Sequence, residues 1–197
     1  MAKAQGRRQL QKEATREHII KTAMLVYREQ GFSATTNMVA QKAGVAHGTI
    51  FVHFPKREDL LLHALERFAD DMGKNLHELS SVSSGIEALL RGHIDIIQDN
   101  EPFYKNLIME ISSLPFDTKN MLIVLNATAA HHFGTAARRG MEDGKVKMLP
   151  IHMLYNTWIG LIHYYLQNSE LFAPDGESVI KRYKSELVSG YMKLIEK

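Results

Sequence analysis

The chain has 197 residues, 45% hydrophobic and 23% charged, with a formal net charge of +2, the profile of a globular protein with enough apolar mass for a buried core. It contains no cysteine, which excludes disulfide scaffolds, thiolate metal sites and cysteine nucleophiles and fits a reducing cytoplasm. Five prolines, 13 glycines and few alternating Val/Ile runs point to an all-α fold.

The first eight residues, Met-Ala-Lys-Ala-Gln-Gly-Arg-Arg, have no apolar run behind their charges, so no secretory leader is expected. Residues 1–14 are polar and basic without a periodic apolar stripe and read as a flexible arm. Ile19, Ile20, Ala23, Val26 and Tyr27 recur at helical spacing up to Gly31 and predict a first helix. Thr35, Thr36 and Asn37 each offer an oxygen cap to a short second helix, which carries Val39, Ala40 and Ala43 and ends at Gly44. A third short helix begins near Ala46 or His47 and stops at Phe54-Pro55. Longer helices follow over about 55–79, 85–98, 102–114, 117–141 and 150–168, with a Ser-rich connector at 80–84. After the turn Pro174-Asp175-Gly176, the last helix aligns Val179, Ile180, Tyr183, Leu187, Tyr191 and Leu194, and the stripe of Tyr183, Leu187, Tyr191 and Leu194 is expected to pack against a second subunit. The expected organisation is an arm (1–14), a three-helix unit (15–58) and a helical domain (59–197).

Charge is divided along this organisation. Residues 1–57 hold 10 Lys/Arg against three acids, and the remainder holds 14 against 19. A basic first quarter on a mildly acidic remainder suggests that the N-terminal part meets a polyanion. Two stretches, 120–137 and 148–169, contain no Lys, Arg, Asp or Glu. The second is long enough to span a bilayer, yet Pro150, His152, Asn156 and His163 interrupt it, and such groups are costly in lipid. Burial against the domain itself and against a second subunit is the expected reading, with no membrane contact.

Residues 35–57, TTNMVAQKAGVAHGTIFVHFPKR, have the spacing of a helix-turn-helix, whose second helix enters the major groove of DNA. Ala46, His47 and Thr49 are short or polar groups at the start of that helix, suited to base edges and adjacent phosphates. Gly48 permits close backbone approach. Thr36 and Asn37 are placed to hold a phosphate at the N-terminus of the preceding helix. His53, Lys56 and Arg57 are placed to grip the flanking backbone, whereas Val39, Ala43, Val45, Ile50 and Phe54 are assigned to the core.

The same string, Thr35-Thr36, Val39-Ala40, Ala43-Gly44-Val45, Gly48-Thr49-Ile50-Phe51, His53-Phe54 and Glu58-Asp59-Leu60, resembles the tetracycline-repressor (TetR) family. Thr15-Arg16, Ile19-Ile20, Ala23 and Gly31-Phe32 agree with it in the first helix, so the resemblance covers roughly residues 12–62. Two departures concern contacts. Phe51 stands where tyrosine is usual, which removes a phosphate hydrogen bond from that DNA-facing position, and Arg57 replaces a customary lysine. The resemblance implies a sequence-specific transcriptional regulator, a repressor of a palindromic double-stranded DNA operator, with a small-molecule effector pocket in the helical domain and a homodimer through the last two helices.

No nucleotide-binding glycine loop, nucleophile elbow or zinc-protease motif is present, and nothing in the sequence calls for a catalytic residue, cofactor or metal. Ten histidines include His131-His132, but adjacent helical positions point about 100° apart and cannot form one ligand pair. Among the aromatic and Met-rich helices, His93, Tyr104, Glu110, His132 and Trp158 are the candidate lining of an effector pocket. Two other readings stay open on the sequence: a helix-turn-helix protein without a small-molecule effector, and a helical metal-binding protein or enzyme with an incidental basic end.

Overall fold

The computed structural model describes residues 2–83 and 85–197, with side chains from Gly6 onward. Among these residues the chain is all-α: α1 (Ala2–Gln30), α2 (Thr36–Ala43), α3 (His47–His53), α4 (Arg57–Val82), α5 (Ile86–Asp99), α6 (Glu101–Glu110), α7 (Phe116–Glu142), α8 (Ile151–Gln167), α9 (Ser169–Phe172) and α10 (Val179–Ile195). A 3-10 turn at Ile111–Ser113 follows α6. No described helix is long and apolar enough to cross a membrane.

The first three helices enclose their own apolar centre. Ile19, Tyr27, Val39, Ile50 and Phe54 are essentially inaccessible to solvent, as their spacing predicts. Thr35, rather than Thr36 or Asn37, caps α2, its hydroxyl accepting from the Met38 amide at 3.3 Å. Gly44 takes φ +66° at the α2–α3 turn, a left-handed conformation in which a side chain would be strained.

Three expectations are corrected. Residues 2–14 are helical rather than an irregular arm, Met1 lying outside the described residues. Arg, Lys, Gln, Glu and Ala are good helix formers, and the helix nucleated at 15–30 propagates outward without needing an apolar stripe. Helix α4 continues to Val82, through part of the Ser-rich stretch. Lastly, Leu187 and Tyr191, read as a surface stripe for a second subunit, are only 4% and 1% exposed. They face the chain's own core, and the Tyr191 hydroxyl donates to the Leu154 carbonyl at 2.6 Å.

Helix α4 leaves the three-helix unit and packs most extensively against α7, while α5, α8 and α10 complete the bundle. The link between α7 and α8 is pinned to the end of α10, Lys147 N–H donating to the Ile195 carbonyl at 2.8 Å and Lys197 N–H to that of Lys145 at 3.2 Å. A continuous set of buried side chains runs from Ile19 to Ile195, so the three-helix unit and the bundle share one core.

Candidate nucleic-acid interface

With Ile50 turned inward, α3 presents its opposite side to solvent: Ala46, His47, Gly48, Phe51 and Val52 are exposed and Thr49 is half-buried. His47 is held in place. Its Nε2 shares a hydrogen bond of 2.9 Å with the Thr36 hydroxyl, and its ring meets Phe51 edge-on at 5.1 Å. This brings the start of α2 against the start of α3, with the exposed Asn37 alongside. A polar ring restrained from two sides loses less freedom on meeting a base edge than a free one.

Flanking this face is a positive surface on α1. The Arg16 guanidinium sits 5.1 Å from the Phe54 ring centre, a cation–π contact. His53 is held below the ordinary imidazole range by burial, then by the charges of Lys12 and Arg16, so these three groups share one field. Lys56, three residues after His53 in the chain, is exposed. Arg16 was absent from the expected DNA-facing set because helical periodicity shows only which face of α1 is apolar, not which polar residues lie next to α3.

Arg57 departs from the phosphate-gripping expectation. Its side chain is turned inward, donating from Nη2 to the Phe32 carbonyl and from Nε to that of Ala34 at 3.4 Å. It braces the α1–α2 loop from one side. From the other, Glu110 Oε1 accepts from the Phe32 amide at 3.2 Å. Gly31, at φ +73°, passes so close that a Cβ there would lie 2.6 Å from Glu110 Oε1. Asn106 completes the brace by donating to the Tyr27 and Arg28 carbonyls at 2.9 and 3.3 Å. The Tyr27 hydroxyl, buried beneath this loop, is pushed up to about 12 by burial, with Arg57 acting in the opposite direction.

The candidate pocket residues do not surround one cavity. Glu110 faces the α1–α2 loop. Trp158 and His93 meet each other in the core, indole Nε1–H donating to His93 Nδ1 at 3.0 Å, which fixes the ring proton of His93 on Nε2. Burial, with a smaller contribution from neighbouring His163, holds His93 down to about 4. The Tyr104 hydroxyl and His163 Nε2 share a hydrogen bond of 2.8 Å, and burial pushes that hydroxyl up and that imidazole down. His132 lies elsewhere, in a surface cleft at the far end of α4. His163 is the partner that sequence reasoning missed, since 59 positions separate it from Tyr104 and no local spacing links them. Between α4, α6 and α7 a void of about 10 Å³ adjoins Phe68, Leu107 and Thr118, and the buried Thr118 hydroxyl has no partner among the described residues. Among those residues no group of three His, Asp or Glu is disposed to hold a metal ion.

Residues 19–64 match the family model described as bacterial regulatory proteins, tetR family. A 72-residue segment is 31% identical to the HTH-type transcriptional regulator YerO of Bacillus subtilis, covering 36% of this chain and 24% of that relative; the match thus spans about a quarter of YerO's length. In shape the likeness extends over nearly the whole chain. A transcriptional regulator from Saccharomonospora viridis, solved in complex with choline, superposes with a TM-score of 0.80 at 16% identity, covering 94% of this chain and 99% of that one. The regulator FadR from Bacillus subtilis, solved with stearoyl-CoA, gives 0.70 at 15% identity, covering 89% and 97%. The sequence match is centred on the α2–α3 geometry: residues 19–64 are similar to the DNA-binding segment of the bacterial regulatory proteins of the tetR family, and the chain as a whole shares the fold of these solved regulators.

Proposed function

We propose that this protein is a sequence-specific DNA-binding transcriptional regulator, a homodimeric repressor released from a palindromic operator by a small-molecule effector. The observation that carries the reading is the solvent-facing side of α3, where His47 is restrained by Thr36 and Phe51 and bordered by the positive surface of Lys12 and Arg16. Ala46, His47, Gly48 and Thr49 read the major groove, while Thr36, Asn37, Phe51, His53 and Lys56 meet the backbone beside it. The bound choline and stearoyl-CoA of the two structural neighbours support effector control.

Helix α6 supplies the connection between the bundle and the DNA-facing unit. At its start, the buried carboxylate of Glu101 caps α10, accepting from the Val179 and Ile180 amides at 2.9 and 3.3 Å and from the Ser178 hydroxyl. At its end, Asn106 and Glu110 hold α1 and the α1–α2 loop. An occupant of the bundle that tilts α6 against α10 therefore carries α1, and with it α3, away from its groove. Two recognition helices must sit about 34–36 Å apart to enter successive major grooves. A ligand that binds the wrong spacing about 100-fold better couples by roughly 2.7 kcal/mol, enough to vacate an operator without unfolding.

The dimer uses the outward face of α8 and α10. Met153, Asn156, Thr157, Gly160 and Tyr164 on α8, with Ser189, Gly190 and Leu194 on α10, are exposed, and their small central residues permit close helix approach. Selection of bound sequences from a random DNA pool by the purified chain, followed by salt titration of the winner, tests the reading. A two-fold symmetric consensus with a steep salt slope supports it. Binding without sequence preference, or none, overturns it.

A further inference from the structure

Helix α3 breaks two local rules on its solvent-facing side. Val52 is 69% exposed, although a β-branched residue is a weak helix former and presents an apolar surface to water. Gly48, one turn earlier, is a poorer helix former still, and nothing within the chain requires it. It is not among the glycines with positive φ, and a Cβ placed there would meet no atom within 4 Å. Positions four apart share one helix face, so the missing side chain and the exposed isopropyl group together make a notch with an apolar wall. Beside it stands His47, held by the Thr36 hydroxyl at 2.9 Å. Departures from local preference that gain nothing inside the fold mark a surface shaped for something outside it.

We propose that this notch selects thymine at one position in each half of the operator, by enclosing its 5-methyl group between Gly48 and Val52. The inference rests on the DNA-binding reading above and adds Val52 to it as a specificity-determining residue. The positive field of Lys12 and Arg16 next to α3 favours a polyanion as the occupant. Of the features that base edges present in the major groove, all are hydrogen-bond donors or acceptors except the thymine methyl. Neither Gly48 nor Val52 has a side-chain donor or acceptor, so the methyl is the feature they can favour. Its burial against the isopropyl group removes apolar surface of both partners from water.

The test uses the full chain and the operator it selects from a random pool, with each thymine replaced in turn, in both halves, by deoxyuridine, which lacks only the 5-methyl group. One symmetric pair of replacements should weaken binding about fifteenfold, the loss of one buried methyl per half-site at about fourfold each. Val52→Ala should unfold no earlier than the wild type, because alanine is the better helix former. It should bind the thymine and deoxyuridine operators within about twofold of each other. Gly48→Ala, which fills the notch, should reverse the preference and bind the deoxyuridine operator more tightly. An operator that is indifferent to every thymine methyl, or a methyl preference that survives undiminished in either variant, overturns the notch and leaves the regulatory reading standing. Failure to select any sequence overturns both.

Discussion

Arg57 and Lys56 are neighbours of like charge with opposite duties. The Arg57 guanidinium is committed to the carbonyls of Phe32 and Ala34, so Arg57→Ala is expected to cost about 1.5–3 kcal/mol of stability, the range for hydrogen bonds to a charged group. Lys56→Ala should leave thermal unfolding unchanged and lower the salt slope of DNA binding by about one. Paired denaturation and salt-titration series check both, and an Arg57→Ala protein of wild-type stability would show that the brace is dispensable. His93 provides a pH signature. Its folded value of about 4 lies below the unfolded value of about 6.5, so between these the unfolded chain binds more protons and stability rises with pH. The contribution, on the order of 3 kcal/mol, is present in full above about pH 6.5 and lost as pH falls toward 4. His163, lowered by burial, acts in the same direction. Urea unfolding from pH 4 to 7 should show this slope, and His93→Gln should flatten it.

Helix α6 is ten residues long, yet its side chains tie α10 at one end and α1 at the other. The two ties predict different phenotypes. Glu101 is buried, and Glu101→Ala leaves the Val179 and Ile180 amides without their acceptor, a loss of about 2–3 kcal/mol visible in thermal unfolding. Glu110→Gln keeps the shape but weakens a charge-assisted bond to the Phe32 amide. It should alter global stability little while speeding hydrogen exchange at Phe32 and weakening DNA binding. If Glu110→Gln leaves both exchange and affinity unchanged, α6 is not the link. Helix α3, by contrast, is seven residues and too short to hold its shape alone. Its geometry depends on Ile50 and Phe54 in the shared core.

For the whole molecule, the proposed dimer rests on the face left free by α8 and α10. A Cβ on Gly160 meets nothing within 4 Å, so Gly160→Arg should be tolerated, or slightly stabilising, within one chain. Between two chains it obstructs helix approach. Sedimentation should then show a dimeric wild type and a monomeric variant whose affinity for a palindrome falls to that for a half-site. A wild type that is monomeric and still binds the palindrome tightly would end the dimer proposal. Leu187→Asp would not be diagnostic, because Leu187 is buried within the chain and its loss would unfold the bundle.

What the amino-acid order determined by itself was the set of helices apart from the four-residue α9 and the first turns of α1, and the inward side of each in the first third. Ile19, Val39, Ile50 and Phe54 lie in the core where their spacing puts them, because helical period and cap chemistry are local properties legible within a few residues. The helix-turn-helix was legible for the same reason: its parts lie within 23 consecutive positions. Only the tertiary structure decided where long polar side chains reach. Arg57 turned from solvent to the α1–α2 loop, Glu110 left the expected pocket to meet a backbone amide 78 positions away, and Tyr104 found His163. Leu187 and Tyr191 of α10 were misassigned outward because a lone helix shows that it has an apolar face, not whether its own chain or a second one covers it. Such pairings depend on which helices become neighbours, a consequence of packing the whole core at once that no local pattern encodes.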